Sequence, residues 1–250
     1  MHWLPPNGAL HGVALDHLLG RYLSIMFWLF LAAQVLILAA MFRRRSNPGA
    51  ARRGQSTRVF LAAELLPLLA ISGLFAWMIF TSHHLWAARR EVAAEAQALP
   101  VEVTGVQFQW YFRYPGADGV YGALHPELVN APAGNPLGLD PQDRHSADDI
   151  VSSILMLPAN RPVNLTLRSQ DVIHGFFIPG MRLKQDTIPG MHSHLTFTPE
   201  TPGDYPILCT QVCGLGHARM QARLRVLSQM DYNRWFSARE RALQAAEATR

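Results

Sequence analysis

Four soft donors fall within twelve consecutive residues late in this chain: Cys209, Cys213, His217 and Met220, in the run CTQVCGLGHARM. Thiolate, imidazole and thioether together suit copper; magnesium and calcium take oxygen, and zinc makes little use of a thioether. On a helix the four side chains would fall at i, i+4, i+8 and i+11, on one face. Gly214, Gly216 and the nearby Pro206 favour a loop instead, whose folded-back backbone brings the four groups onto one centre. His174, in the run DVIHG just after a strand-like alternation, is a fifth candidate, supplied from a neighbouring loop. Two cysteines in an exported domain also suit a disulfide, and a lone Met or His is more often a core or hydrogen-bonded residue. The combination is what points to a metal.

The pattern Cys-x3-Cys-x3-His-x2-Met, with a His 35 residues before the first Cys, resembles the binuclear copper centre, CuA, of cytochrome c oxidase subunit II. The resemblance implies a ligand set of Cys209, Cys213, His174, His217, Met220 and the backbone carbonyl of Gln211. Each thiolate would bridge both coppers, and each histidine would cap one of them. Two bridging sulfurs spread one electron over two metals, so bond lengths change little on reduction and electron transfer needs little rearrangement. The implied function is that of a membrane-anchored electron-transfer subunit. It accepts electrons from cytochrome c or a similar soluble carrier on the outer face and passes them to haem in a catalytic subunit I, where O2 is reduced.

The chain departs from the family pattern at Gln211. The family usually has Glu there, reaching a magnesium ion at the contact with the catalytic subunit, and a neutral amide is a poorer ligand for a hard dication. Loss of the magnesium site is therefore expected. Two further readings stand beside the oxidase: a CuA subunit of a nitric oxide reductase of the same haem-copper superfamily, and a membrane-tethered copper-binding protein for storage or delivery. A bridging dithiol within six complementary ligands favours redox over delivery, because a delivery site must release its metal.

The elements that would position these donors divide the chain sharply. Of its 250 residues 49% are hydrophobic, and the mean hydropathy of +0.05 is high for a purely soluble chain. Residues 1–88 hold 7 basic and 2 acidic groups, whereas residues 89–250 hold 15 and 16, so the net basicity belongs to the apolar part and argues against nucleic-acid binding. Residues 1–20 lack a Lys/Arg-rich start and a small-residue cleavage site, and are read as a retained segment on the outer side. Residues 21–42 and 59–82 are apolar runs, the first about 33 Å long as a helix, which matches a bilayer core. They form a transmembrane hairpin over 21–88. The connection carries Arg43, Arg44, Arg45, Arg52, Arg53 and Arg58, and by the positive-inside rule it faces the cytoplasm. The protein is thus expected in the inner (plasma) membrane as a multi-pass protein, in contact with the lipid bilayer, its C-terminal domain on the periplasmic or extracellular side. Glu64 is an ionisable group at a depth where charge is costly, and Pro67, one turn on, is expected to kink its helix. The family's Glu feeding a proton pathway stands seven residues before the matching Pro, where this chain has Phe60. Glu64 is therefore a candidate either for proton handling or for pairing with a polar group on a neighbouring helix.

Residues 89–98 read as a linker, and alternation begins at 99. Val101 and Val103 share one phase; Val106, Phe108, Trp110, Phe112 and Tyr114 share the other, which suggests a β-bulge at Gly105. The stretch GVQFQWYFRYPG resembles the family's aromatic segment near its electron-input surface, making Phe108 and Trp110 the candidates for that role, Phe108 the weaker since the family has Trp there; the plain alternative is that these aromatics are one face of a packed strand. Residues 121–149, rich in Pro, Gly and Asp, read as a long surface loop. Between Asp118 and Asp149 lie six acids and one base, Arg144, suited either to plain solvation or to steering a basic donor. Further short strands, Pro/Gly turns and the family-like run FFIPGMRLKQDTIPG complete an all-β, cupredoxin-like Greek-key sandwich or barrel over 99–227. Residues 228–250 read as a helix opened by a Ser228/Asp231 capping pattern and anchored by Trp235. His192 and His194 share a strand face, but nothing else converges on them, and they are read as exposed.

Overall fold

The computed structural model describes residues 4–46, 57–93 and 98–247. The chain forms two units, one of Met1–Val13 with Arg89–Arg250 and one of Ala14–Ala88.

In the larger unit, alternating apolar residues build ten strands: β1 (Leu99–Val106), β2 (Gln109–Tyr114), β3 (Ile150–Ser152), β4 (Ile154–Pro158), β5 (Val163–Ser169), β6 (His174–Ile178), β7 (Leu183–Thr187), β8 (Ser193–Phe197), β9 (Gly203–Cys209) and β10 (Gln221–Leu227). They pair into two five-stranded sheets, in the orders β3-β2-β1-β5-β8 and β4-β10-β9-β6-β7. Along β5, Val163, Leu165 and Leu167 are buried while Asn164, Thr166 and Arg168 are half-buried, the period-two pattern of a strand with one face on a core. The inward faces of both sheets, including Val101, Phe112, Leu155, Leu165, Phe176, Ile207 and Leu224, contribute to one apolar cluster. The result is a sandwich of mixed strand direction, since β1 runs parallel to β5 and β10 parallel to β4.

The phase change near Gly105 has a different cause from the expected bulge. β1 and β2 pair in unbroken antiparallel register from Glu102↔Arg113 to Val106↔Gln109, leaving Gln107 and Phe108 as a two-residue hairpin turn. The aromatic run is therefore not one strand: Phe108 sits in the turn, and Trp110, Phe112 and Tyr114 belong to the returning strand. Two strands joined by so short a turn can read like one strand with a slipped phase.

A helix, α3 (Gln229–Glu247), closes the sandwich. Its first turn carries the capping pattern, with Asp231 N–H donating to Ser228 Oγ at 3.1 Å and Ser228 Oγ donating to Asp231 Oδ2 at 2.7 Å. Trp235 meets Tyr114 edge-on at 5.2 Å. The N-terminal segment is part of the same unit: Gly8 N–H donates to Gly180 O, Leu10 N–H to Thr198 O, and Glu200 N–H returns to Gly8 O. Ala9 is fully buried in the sandwich core.

The acidic stretch is more structured than a solvated loop. Short 3-10 turns occupy Pro126–Leu128 and Ala131–Ala133, and Asp143 accepts from the N–H groups of Ala123 and His145. Asp149 is buried against Arg113, whose guanidinium also reaches Glu102 at 3.0 Å and the carbonyl of Gly122 and lies over the Tyr121 ring at 4.9 Å. One of the loop's acids is thus cancelled by a base outside it in sequence, and the acid count overstates the charge available for steering.

The smaller unit, Ala14–Ala88, is drawn from two helices, α1 (Gly12–Ser46) and α2 (Thr57–Ala93). Their most apolar stretches have mean hydropathy 2.4 and 1.9, with none of either buried within the protein. Helices this apolar and this uncovered are matched to lipid. Tyr22 ties the pair together, its hydroxyl donating to Met78 O at 3.0 Å and meeting Thr81 Oγ1 at 2.6 Å. Pro67 lies inside α2, Glu64 sits three residues earlier among exposed apolar neighbours, and Arg43, Arg44 and Arg45 occupy the last turn of α1. The expected loop residues Arg52 and Arg53, and residues 94–97 of the expected linker, lie outside the described residues; the helix itself continues to Ala93, past the expected linker start at 89.

Because Arg113 and Asp149 are both buried, removing one partner leaves an uncompensated charge in the sandwich. Asp149→Ala is expected to destabilise the larger unit by about 3–5 kcal/mol, measured by thermal or denaturant unfolding of the full chain in detergent. Asp204→Ala, which breaks the exposed pair with Arg225, is expected to change little.

Candidate metal centre

The centre forms where β6 and β9 lie side by side. Phe176 pairs with Cys209 and Phe177 with Leu208, so the start of β6, carrying His174, and the end of β9, carrying Cys209, meet at one end of the sheet. Thr210 N–H donates to Gly175 O at 2.9 Å and continues the join into the loop. A side chain at Gly175 would put its Cβ 2.3 Å from Thr210 Oγ1 and 2.9 Å from Gln211 N, so glycine is what lets the two segments approach.

The loop from 210 to 220 then folds back on itself. His217 N–H donates to Gly214 O, and a 3-10 turn at His217–Arg219 returns the chain to β10. Cys209 N–H donates to Met220 O at 3.2 Å, which places the first and last donors of the motif opposite one another. The loop expected from Gly214 and Gly216 is thus present; a single helical face is not.

The donors converge. Cys209 Sγ and Cys213 Sγ are 3.9 Å apart, and Cys213 Sγ lies 3.7 Å from His217 Nδ1 and 3.7 Å from Met220 Sδ. One donor atom each from His174, Cys209 and Cys213 lie within 4.8 Å of one another. The carbonyl of Gln211 turns inward, 3.2 Å from Cys209 Sγ, while the Gln211 residue as a whole is exposed. Both cysteines are free thiols, so the disulfide reading does not describe this structure.

His174 is fully buried, and its two nitrogens are treated differently. Nε2 lies 2.8 Å from Asp171 Oδ1, whereas Nδ1 is buried with no hydrogen-bond partner. A buried imidazole that keeps one nitrogen open and converges with two thiols fits a metal ligand, because an unpaired buried polar atom is otherwise costly. Burial, and next the neighbouring Cys209, push the Cys213 thiol up to about 11. A thiol raised this far stays protonated near neutral pH unless a cation compensates its thiolate, so metal uptake at Cys213 must release a proton. At Asp171 burial raises the carboxyl's pKa, but hydrogen bonds from Gln107 N–H and the His174 ring outweigh it and hold the group below its ordinary value.

The two aromatic candidates part company. Trp110 is fully buried behind the centre, edge-on to His174 at 5.8 Å and to Phe176 at 5.2 Å, and so is not a surface group. Phe108, in the hairpin turn, is half-buried against the loop: a Cβ added at Gly216 would stand 2.4 Å from its Cδ2. Glu64 lies in the other unit. His192 and His194 are exposed, as read from sequence. Sequence reasoning missed Asp171 and Gln107. The run Asp171-Val172-Ile173-His174 did carry a signal, a carboxylate three residues before an imidazole; Gln107 carried none, since its role depends on the hairpin.

The cytochrome c oxidase subunit II periplasmic-domain family model matches residues 99–226. The chain is 38% identical over 181 residues to an alternative cytochrome c oxidase subunit 2 of Bradyrhizobium diazoefficiens, covering 72% of this chain and 59% of the relative. It is 34% identical over 140 residues to a cytochrome c oxidase subunit 2 of Synechocystis sp., covering 56% of this chain and 33% of the relative. The matches thus span less than two thirds of these relatives' own lengths. Among solved structures, the periplasmic domain of subunit II of cytochrome oxidase of Bradyrhizobium japonicum aligns with a TM-score of 0.44 and 23% identity, over 59% of this chain and 96% of that one.

Gly175→Ala is expected to force β6 and the loop apart, lowering stability by about 1–3 kcal/mol. Because the displacement falls between His174 and Cys209, copper retention should fall with it. Unfolding of the metal-free chain and the rate of copper loss from the loaded chain check the two effects.

Proposed function

The chain belongs to the cytochrome c oxidase subunit II family, and from that premise we propose that it is the electron-transfer subunit of a respiratory haem-copper oxidase, with a binuclear copper centre as its resident cofactor. The observation that carries the copper reading is the convergence of buried His174, which keeps Nδ1 open, with two free thiols, one donor atom of each lying within 4.8 Å of the others. Cys209, Cys213, His174, His217, Met220 and the Gln211 carbonyl would hold the metals. Bound there, the copper pair supplies a one-electron carrier that needs little rearrangement between its redox states.

This chain's own residues hold the donors still and control access. Asp171 fixes the face of His174, β6 and β9 fix its separation from Cys209, and the buried Met220 closes the inner side. Phe108 is the aromatic group between the loop and solvent and the better candidate for electron input from cytochrome c or a similar carrier; Trp110 supports His174 from within. Electrons would leave to haem in a catalytic subunit I. The relatives are called cytochrome c oxidase subunits, which favours O2 over nitric oxide as the partner's substrate. Glu64 remains a proposed proton-handling group on α2.

The N-terminal segment supports the membrane topology. Residues before α1 are hydrogen-bonded into the sandwich that follows α2, which supports placing both on one side of the membrane, with an even number of crossings between them. Arg43, Arg44 and Arg45, at the far end of α1, mark the cytoplasmic side, leaving the copper domain in the periplasm.

Metal analysis and paramagnetic resonance of the full chain in detergent test the proposal. Two coppers per chain, with one unpaired electron coupled to both nuclei, are expected; so is an assembled complex without stoichiometric magnesium, since Gln211 offers no carboxylate. A single-copper blue spectrum, or a Cys209–Cys213 disulfide in the loaded protein, would overturn the binuclear reading. Ready passage of the copper to a competing apoprotein would favour delivery.

A further inference from the structure

The turn at Gln107-Phe108 carries none of the proposed ligands, yet it touches both segments that do. Gln107 N–H donates to Asp171 Oδ2 at 2.7 Å, and Asp171 Oδ1 holds His174 Nε2 at 2.8 Å. The Gln107 side-chain amide donates to the carbonyl of Cys213, on the opposite side of the centre. The loop is shaped to receive this turn. At Gly214, φ is +138° and an added Cβ would stand 2.9 Å from Gln107 Nε2; at Gly216 it would strike the Phe108 ring. Both glycines that flank the exposed Leu215 are thus places where the turn presses on the loop.

Cys209 and Cys213 are held by different means. Cys209 ends a strand and is fixed by the β6–β9 and β9–β10 ladders, whereas Cys213 lies four residues further on, in the loop. Nothing in the β6–β9 join sets the position of Cys213 relative to His174. The bonds through Gln107 do, by running from Cys213 to Gln107, from Gln107 to Asp171, and from Asp171 to His174.

We propose that Gln107 is a positioning residue that latches the cysteine loop to the histidine segment and so fixes the spacing between Cys213 and His174. This rests on the copper reading above for its consequence in the loaded protein, but the latch itself joins groups of the chain alone. A carboxylate on the far nitrogen of a ligating histidine is a common orienting device, and the loss of such outer contacts typically weakens metal affinity about 10–100-fold. Here the device extends one residue further, to a side chain that also grips the thiol loop.

The test uses the full chain in detergent, with Gln107→Ala, Gln107→Glu, Asp171→Asn and the Gln107→Ala/Asp171→Asn double variant. Gln107→Glu keeps the volume but places a carboxylate against a carbonyl, so it cannot make the latch bond when ionised. In the metal-free chain, alkylation of Cys213 by iodoacetamide is followed by mass spectrometry, with Cys209 as internal reference. In the copper-loaded chain, the copper hyperfine pattern and the rate of copper loss to EDTA are followed. Each single variant is expected to raise Cys213 alkylation several-fold, the scale of one net hydrogen bond lost, without a matching change at Cys209. Each is also expected to speed copper loss about tenfold and alter the hyperfine pattern. In the double variant the effects should be less than the product of the singles, because both act on one chain of bonds.

Wild-type alkylation, hyperfine pattern and copper loss in the single variants would overturn the proposal, as would fully multiplicative effects. A fall in metal-free melting temperature that accounts for every change would reduce Gln107 to a structural residue and overturn it equally. If the wild-type chain takes up no copper, the copper reading fails, and the alkylation of the metal-free chain still decides the latch.

Discussion

Everything at the proposed copper site depends on one pairing, that of β6 with β9. His174 and Cys209 are 35 residues apart in sequence, and an antiparallel register of Phe176↔Cys209 is what brings them to the same end of the same sheet. The register leaves no slack, because a slip of one residue turns every side chain of a strand to the other face. Gly175 allows the approach, Thr210 extends it into the loop, and the loop needs only to fold back for His217 and Met220 to arrive on Cys213. The rest of the sandwich serves as a rigid support for this junction. Trp110 stands edge-on to both His174 and Phe176, and α3 covers the core through Trp235 on Tyr114.

The same unit is tied to its surroundings by buried polar chemistry. Arg113 gathers Glu102 from the neighbouring strand and Asp149 from the end of the acidic loop, so a stretch rich in Pro, Gly and Asp is pinned at its far end by charge rather than by apolar packing. Residues 5–10 are drawn into the sandwich by backbone hydrogen bonds and by the burial of Ala9. A domain cut at residue 99 would lose that strap, and one cut at 227 would lose the helix that covers Tyr114. The fold that positions the metal ligands is thus larger than the stretch that carries them.

Much of this was legible in the chain. The soft-donor motif named the residues that the structure brings together, because a contiguous motif needs only a loop to converge, and two glycines advertised that loop. The apolar helices and the capping pattern at Ser228 were legible for a similar reason, each being a local property of consecutive residues. What could not be read was long-range. The two-residue turn at Gln107-Phe108 looked like a bulge, since a phase change alone does not say whether a strand has slipped or reversed. Phe108 and Trp110 read as one alternating run; in a hairpin they part, the first into the turn and the second into the core against His174. Asp149 counted as a free acid until Arg113 was found against it, and Gln107 gained meaning only from its two distant partners.

The central claim is that Cys209, Cys213 and His174 meet as ligands of one copper pair. X-ray absorption at the copper edge of the loaded full chain tests it most directly, comparing the wild type with Cys213→Ser. The account expects copper scattering from sulfur, imidazole and a second copper in the wild type, and loss of the copper–copper component when the second bridging thiol is removed. Copper with sulfur neighbours but no second metal in the wild type, or a copper–copper component that survives Cys213→Ser unchanged, would contradict it.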